Sequence, residues 1–162
     1  MLVIVEGVDR VGKTTLCTRL SEHLHIPIFK EELYTCGKNW KADLVTEQLH
    51  AVIRLHKQLR FNLICDRFHL SELVYGYLER GYENKYMMEL DKEMALDSIL
   101  LFVKHSRPWE VQAKEHGKDQ SKHEAMMDYY FGLSDIRYKF YCDYNSLDGA
   151  VKYTQTVLEL MK

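Results

Sequence analysis

Short, continuous apolar runs alternate along the chain with longer amphipathic stretches. Such runs are typical of strands that are buried on both faces of a parallel sheet. Five strands are expected, at residues 2–5, 26–29, 62–66, 98–103 and 140–144. Pro27 indicates a strand start or a sheet edge for the second of them, because proline donates no hydrogen bond to a sheet ladder.

Between these runs, apolar residues recur at steps of three and four, the period of one face of an α-helix. The helices expected from this period lie at residues 14–24, 41–59, 70–78, 85–97, 126–140 and 147–161. Gly81 is a suitable stop between the third and the fourth of them. Strands that alternate with helices predict an α/β fold with a doubly wound parallel sheet of about five strands, in a single domain over residues 1–162.

Composition and charge restrict the class of protein. With 46% hydrophobic and 28% charged residues, the chain has the composition of an ordinary globular domain. Its net charge of -2 does not favour a duplex nucleic acid or a membrane surface as partner, although it says nothing about local patches. No apolar run reaches the length of a membrane span, and the first strand leaves no room for a signal peptide. We therefore expect a cytoplasmic protein without a membrane partner.

The cysteines and histidines show no ligand pattern. Four cysteines stand far apart without a C-x-x-C pair, which argues against a zinc ribbon or a disulfide framework and suits a reducing compartment. The eight histidines are scattered as well, and we interpret them as residues of the surface and its boundary.

The loop after the first strand carries the clearest chemical motif. Gly7, Gly12, Lys13 and Thr14 match the spacing G-x-x-x-x-G-K-[ST] between an apolar strand and a helix. In such a loop, main-chain N–H groups and the helix dipole bind phosphate oxygens, the lysine reaches the β- and γ-phosphates, and the hydroxyl binds Mg²⁺. The predicted ATP-binding residues are Gly7, Val8, Asp9, Arg10, Val11, Gly12, Lys13, Thr14 and Thr15.

The third expected strand ends on Asp66, which is followed by Arg67. A buried strand that ends in a carboxylate at the carboxyl edge of the sheet places that group beside the nucleotide. The metal residues predicted for Mg²⁺ are therefore Thr14 and Asp66. The planar guanidinium of Arg67 is suited to bind a phosphate through two hydrogen bonds. A solvated acid and a surface arginine are the alternatives.

Two stretches resemble motifs of the thymidylate kinase family of nucleoside monophosphate kinases: EGVDRVGKTT at residues 6–15 and DRFHLSELVY at residues 66–75. The first fits E-G-apolar-D-R-x-G-K-[ST]-T throughout, the form found in members with an arginine in the phosphate loop. The second fits D-R-aromatic-x-x-S-x-x-apolar-[YF]. The resemblance implies a P-loop kinase fold with a small lid, expected at about residues 105–124, where Arg107 is the candidate lid arginine.

The resemblance also implies the catalytic groups. Arg10 would stabilise the charge on the phosphates during transfer, and Lys13 and Arg67 would act as further clamps. Asp9 would contact the sugar of the acceptor near its 3′-hydroxyl. A solvated loop residue or a partner of Arg10 is an equal alternative for Asp9.

The acceptor site is implied by the second motif. Arg67 would bind the acceptor phosphate, with Ser71 nearby, while Phe68 and Tyr75 would line the pocket. In the family, an aromatic residue at the position of Tyr75 disfavours a 2′-hydroxyl and so selects deoxyribonucleotides. Judged by residue type alone, core packing is the better interpretation of both aromatic residues.

The sequence is shortened relative to full-length members of the family, the family helix that stacks on the thymine is not traceable in it, and two further places depart from the pattern. The arginine–proline turn after the second strand is replaced by FKEELYTCG, in which Lys30 is the only cation. Glu72 stands where the family usually has a small or carboxamide residue. Its carboxylate would suit a substrate group that donates hydrogen bonds, or it would be a solvated helix residue, the interpretation that we favour.

The expected function is ATP- and Mg²⁺-dependent phosphoryl transfer to a small-molecule nucleotide, a deoxynucleoside monophosphate such as dTMP or a related pyrimidine. The alternative is a kinase for a hydroxyl acceptor: a deoxynucleoside, or a hydroxymethylated pyrimidine that is free or within DNA. DNA is a partner only in that case. A hydroxyl acceptor benefits from a carboxylate base, and Asp9, Asp66, Glu31 and Glu32 are available.

A non-catalytic module that senses ATP is the third class of function. Arg10 argues against it, because binding alone has no need of a transfer clamp. A helix-packed homodimer is common in the family, and the resemblance implies it as an option for this chain.

Overall fold

The structure is a computed structural model that describes residues 1–30, 42–106 and 119–161. A five-stranded parallel sheet with the strand order β2-β3-β1-β4-β5 forms its centre. The strands are β1 (Leu2–Glu6), β2 (Ile28–Lys30), β3 (Leu63–Asp66), β4 (Ser98–Lys104) and β5 (Tyr138–Asp143). The doubly wound α/β fold predicted from the sequence is confirmed, and Pro27 does precede an edge strand.

Six α-helices flank the sheet in this part of the chain. They are α1 (Lys13–Leu24), α2 (Ala42–Leu59), α3 (His69–Glu79), α4 (Met87–Glu93), α5 (Ser121–Leu133) and α6 (Leu147–Leu160). A single 3₁₀ turn, Tyr144–Ser146, joins β5 to α6. None of the helices in the described ranges is both long and apolar enough to cross a bilayer.

The alternation of side chains along the strands divides the core into two layers. Val3 and Val5 of β1 pack with residues of α1 and α6 on one face. Leu2 and Ile4 pack with residues of α2, α3, α4 and α5 on the other face. Because both faces of β1 are covered, all five of its residues are buried, which explains why the strand reads as a continuous apolar run.

The strand order brings the two motifs of the sequence together. β1 lies between β3 and β4, and Val5 pairs with Asp66 in register. Directly beyond that pair, the Arg67 N–H donates to the Val5 carbonyl at 3.0 Å. Since parallel strands end at the same edge, the loops that follow β1 and β3 meet there.

The helix predicted for residues 126–140 is wrong in its second half, because α5 ends at Leu133. The chain is held there by the buried Asp91 of α4. Its carboxylate accepts hydrogen bonds from Ser134 Oγ at 2.6 Å and from Asp135 N at 2.5 Å. The chain then pairs with β4 as β5, and Ile136 is buried although it lies outside the helix. Ile136, three positions after Leu133, is thus buried in the connection between α5 and β5 rather than in the helix.

Among the described residues, His56 and His69 are buried, so the prediction that histidines lie at the surface and its boundary is wrong for these two. His69 is fully buried, and its Nε2 lies 2.7 Å from Asp91 Oδ1. His56 Nδ1 lies 3.1 Å from the Phe61 carbonyl oxygen. Each ring has a polar partner that offsets the loss of water.

Candidate functional site

The loop from Gly7 to Gly12 follows a path that requires glycine at both ends. Gly7 has a φ of 146° and Gly12 a φ of 101°, in the region that disfavours side chains. A Cβ atom on Gly7 would lie 2.4 Å from the Val103 carbonyl oxygen, and one on Gly12 would lie 2.8 Å from Tyr144 Cδ2. The loop is therefore packed closely against the end of β4 and the 3₁₀ turn that follows β5.

The first turn of α1 presents main-chain N–H groups at this loop. Gly12 caps the helix without a side-chain hydrogen bond. No residue in the described ranges accepts a hydrogen bond from the N–H groups of Val11, Gly12 or Lys13. These donors and the positive end of the helix dipole fit an anionic ligand such as a phosphate.

The side chains of the loop divide into buried and exposed ones. Val8 and Val11 are buried in the core layer beside α1, so only their main-chain atoms are suited to meet a ligand. Arg10 and Thr15 are exposed. Arg10 has a φ of 64°, a left-handed conformation that non-glycine residues rarely adopt.

Lys13 lies beneath the loop with its side chain almost fully buried. The Lys13 ammonium donates a hydrogen bond to the Val8 carbonyl. Burial and then the positive charge of Arg67 lower the pKa of Lys13 to about 8, although Asp9, Asp66 and Glu6 oppose the change. A phosphate beside Lys13 would favour the charged form and reverse the effect of burial.

Substitution of Lys13 by methionine is expected to stabilise the ligand-free protein at pH 7 by about 2 kcal/mol, because a buried charge is removed. The unfolded chain keeps Lys13 protonated up to pH 10.5, whereas the folded chain releases the proton near pH 8. The stability of the wild type therefore rises with pH across that window, and its deficit relative to Lys13→Met shrinks.

The measurement is urea unfolding of both proteins at several pH values, with EDTA and without nucleotide. Lys152→Met, which removes an exposed lysine of α6, is the control. A stability gap that stays constant from pH 7 to pH 10 would show that the buried charge is not its cause.

Thr14 and Asp66 meet where β3 ends beside α1. The Thr14 hydroxyl donates to Asp66 Oδ2 at 2.9 Å, and Asp66 is only 4% exposed. Hydroxyl and carboxylate oxygens are the ligands that Mg²⁺ prefers. The two residues predicted for the metal are therefore adjacent, and their donor atoms fit a hard divalent cation.

Asp9 and Arg67 form an ion pair across the two loops. The Arg67 guanidinium donates to Asp9 Oδ1, and its Cζ lies 4.8 Å from the centre of the Tyr75 ring. Burial would raise the pKa of Asp9. Arg67, the hydrogen bond from Gln120 and the charge of Lys13 outweigh burial and lower this pKa, so Asp9 is ionised.

Phe68 and Ser71 are buried in the protein. Phe68 is fully buried in the core layer on the side of α3. The Ser71 hydroxyl donates to Glu6 Oε2, so its polar group already has a partner. Contacts between these two residues and an acceptor remain predictions. Arg107 lies outside the described residues, as do positions 107–118 of the predicted lid, whereas 121–124 form the first turn of α5.

Sequence reasoning assigned no role to two residues that organise this site. Glu6 ends β1, and its Oε1 accepts hydrogen bonds from Phe68 N, Leu70 N and Ser71 N at 2.9, 3.0 and 3.2 Å. A carboxylate at the end of a strand within the first motif was a signal for Glu6. Gln120, which bonds Asp9, carried no signal, because its contact spans 111 positions of sequence.

Glu72 is not a solvated helix residue, so that interpretation is wrong. It is 2% exposed, and its carboxylate accepts hydrogen bonds from Arg80 Nη1 and from the Tyr82 hydroxyl, both at 2.5 Å. Burial raises the pKa of Glu72, although these partners and Asn84 act in the opposite direction. The polar partners compensate for burial of the carboxylate between α3 and the segment that follows it.

The parallel sheet and the glycine loop between β1 and α1 are the architecture of P-loop kinases. The sequence matches no family model, and a search of curated proteins finds no significant match. Similar solved structures are nevertheless found, and they cover almost the whole chain.

One is the YorR protein from Bacillus subtilis in complex with phosphorylated GDP, with a TM-score of 0.78 and 20% identity over 99% of this chain and 97% of that chain. Another is deoxyadenosine kinase from M. mycoides, with a TM-score of 0.53 and 15% identity over 100% of both chains. A third is thymidylate kinase from Ehrlichia chaffeensis, with a TM-score of 0.56 and 15% identity over 98% of both chains. At these identities the likeness shows the fold, which this chain shares with nucleotide and nucleoside kinases.

Proposed function

We propose that this protein is a kinase that transfers a phosphoryl group from ATP to a deoxynucleoside monophosphate, with dTMP or a related pyrimidine nucleotide as the first candidate. The observation that carries the proposal is that two cations, Lys13 at the start of α1 and Arg67 directly after β3, lie where the loops after β1 and β3 meet. Transfer between two phosphates needs bound, neutralised and aligned reactants rather than covalent chemistry by the protein.

The donor side of the site is built by the loop and α1. The N–H groups of Val11, Gly12 and Lys13, with the Lys13 ammonium, would bind the ATP phosphates. Thr14 and Asp66 would hold Mg²⁺, which when bound neutralises charge on the phosphates. Arg10, which is exposed in the loop, would reach phosphates that bind there.

The acceptor side is centred on Arg67. Its guanidinium is held by Asp9 on one loop and by the ring of Tyr75 on α3. This arrangement limits the rotamers of a long side chain before the substrate arrives, so less entropy is lost when a phosphate binds. The acceptor phosphate would accept hydrogen bonds from N–H groups of the Arg67 guanidinium, while Asp9 keeps its own hydrogen bond from Arg67.

The state of the carboxylates favours a phosphate as the acceptor over a hydroxyl. Asp9 accepts hydrogen bonds from Arg67 and Gln120 and its pKa is lowered, so it is a weak base. Asp66 accepts the Thr14 hydroxyl and is assigned to the metal. Glu31 and Glu32, the other candidate bases, lie outside the described residues. A phosphate oxygen needs no base, whereas a hydroxyl benefits from one.

The whole of residues 1–162 would form one kinase domain, with residues 105–124 as its lid and Arg107 as a further phosphate contact. The single sheet, to which every described helix packs in one of two core layers, supports the proposal of one domain.

The deciding experiment incubates the protein with Mg-ATP and a panel of acceptors and identifies the products by mass spectrometry. The panel holds each deoxynucleoside monophosphate, hydroxymethyl-dUMP, thymidine, and DNA with and without hydroxymethyluracil. We expect a diphosphate from dTMP or a related pyrimidine nucleotide. Phosphate that appears only on thymidine or on DNA would contradict a phosphate acceptor.

With that acceptor, Arg67→Ala is expected to raise the acceptor KM by about 10- to 100-fold, because a charge-assisted hydrogen bond to the phosphate is lost. The KM for ATP should change much less, since Lys13 and α1 are untouched. Steady-state kinetics with each substrate varied in turn measures both values. Arg19→Ala is the matched control, because Arg19 lies on α1 in an exposed pair with Asp148. Equal effects of Arg67→Ala on both KM values would place Arg67 outside the acceptor site.

A further inference from the structure

Gln120 connects the start of α5 to the phosphate loop. It immediately precedes α5 and is 5% exposed. Its Oε1 accepts a hydrogen bond from Asp9 N at 3.0 Å, and its Nε2 donates one to Asp9 Oδ2, also at 3.0 Å. Both ends of one carboxamide therefore hold one residue, which restricts the main chain and the carboxylate of Asp9 together.

The carboxylate of Asp9 is held on both of its oxygens. Oδ2 accepts from Gln120, and Oδ1 accepts from the Arg67 guanidinium. With Oδ2 bound, rotation of the carboxylate is restricted, and Oδ1 stays directed at Arg67. Loss of the Gln120 carboxamide would release this rotation and leave Arg67 with a less ordered partner.

The first turn of α5 also contacts the other partner of Arg67. The ring of His123 lies 5.1 Å from the ring of Tyr75, and His123 Nε2 lies 3.1 Å from Glu79 Oε1 of α3. The start of α5 thus contacts both Asp9 and Tyr75, the two groups between which the guanidinium of Arg67 is placed.

We infer that Gln120 is a positioning residue of the acceptor site, which sets the direction of Arg67 through Asp9. The inference rests on the proposed function, because it assigns Gln120 to the acceptor phosphate that Arg67 would bind. Gln120 contacts neither Lys13 nor the N–H groups at the start of α1. Its effect should therefore fall more on the acceptor than on ATP, whose predicted contacts at the start of α1 do not involve Gln120.

The test compares Gln120→Ala and Gln120→Glu with the wild type, and Gln155→Ala serves as the control. Gln155 lies exposed on α6, where its Oε1 is 3.0 Å from His23 Nε2, remote from Asp9. Gln120→Ala is expected to raise the acceptor KM about tenfold, with the KM for ATP and kcat changed less than twofold. Gln120→Glu keeps the volume but places a second carboxylate against Asp9, so it should raise the acceptor KM at least as much.

A role in packing alone predicts a different pattern. Gln120→Glu, which fills the same space, would then behave like the wild type, and Gln120→Ala would change both KM values alike. Either result overturns the inference about Gln120. The proposed function is tested separately, by whether the wild type phosphorylates the acceptor. A second readout is Gln120→Ala in an Asp9→Ala background, which has no carboxylate for Gln120 to hold, so Gln120→Ala should no longer change the acceptor KM there.

Binding measured by isothermal titration calorimetry separates failure of the inference from failure of the proposed function. If the wild type binds dTMP without phosphorylating it, the proposed function fails, and the dissociation constants of the Gln120 variants decide the inference. Equal dissociation constants for Gln120→Ala and Gln155→Ala would overturn it. If the wild type neither binds nor phosphorylates any acceptor of the panel, both are overturned.

Discussion

Replacement of Arg10 by alanine is expected to lower kcat by about a thousandfold, the effect of losing an arginine that neutralises the phosphates in transfer. Arg10 lies in the loop between Asp9 and the start of α1. Its side chain is exposed, and none of the described residues forms a hydrogen bond or an ion pair with it. Its loss should therefore leave the stability of the fold unchanged and weaken ATP binding much less than it lowers kcat.

Two further variants sharpen this test. Arg10→Lys keeps the charge without the planar fork, so it should recover only part of the lost rate. Arg19→Ala removes an exposed arginine of α1 and should leave kcat unchanged. Because alanine and lysine, like arginine, adopt a φ of 64° at a cost, the backbone preference is similar in both Arg10 variants.

Rates come from single-turnover measurements with the acceptor identified by the panel, and ATP affinity from calorimetry. If Arg10→Ala turns over as fast as the wild type, Arg10 is not a transfer clamp. Tight ATP binding without turnover of any acceptor by the wild type would instead favour the ATP-sensing module.

Substitution of Glu6 by alanine is expected to cost about 3 kcal/mol or more of the free energy of unfolding. Glu6 is fully buried, and its two oxygens accept three main-chain N–H groups and the Ser71 hydroxyl. Without the carboxylate, these buried donors lose their acceptor, and each unsatisfied donor costs about 1–3 kcal/mol. The negative charge also lies at the start of α3, where the helix dipole favours it.

Glu6→Gln is the informative second variant. It retains one acceptor oxygen but loses the charge, so we expect a smaller cost of about 1–2 kcal/mol. Urea unfolding monitored by circular dichroism gives the free energies, and Glu47→Gln on the exposed surface of α2 is the control. A cost for Glu6→Ala no larger than that of the control would show that water replaces the carboxylate.

The fold was largely predictable from the sequence, because burial on both faces leaves a continuous apolar run. β1 and β4 are buried almost throughout, and their bounds differ from the predicted ones by one residue. The prediction of secondary structure failed at α5, because Ile136 continues the helical period although the helix has already ended. The stop is imposed by Asp91, which a local pattern does not contain.

The phosphate loop was also predictable, because the residues of its motif are close together in the sequence. The motif places Gly7, Gly12, Lys13 and Thr14 within eight consecutive positions, so their spacing alone indicates a phosphate site. The pair of Thr14 and Asp66 was predicted from a strand that ends on an acid, since parallel strands share a carboxyl edge. The structure places these two side chains 2.9 Å apart.

The sequence by itself therefore determined the class of fold and the location of the phosphate loop, because both depend on local periods and short spacings. Only the tertiary structure decided that Glu72 is buried, that Glu6 holds the start of α3, and that Gln120 holds Asp9. These contacts join residues that are distant in sequence, or depend on which face of a helix is covered. Their strength comes from burial, which excludes water from the hydrogen bonds and is a property of the packed chain rather than of any one segment.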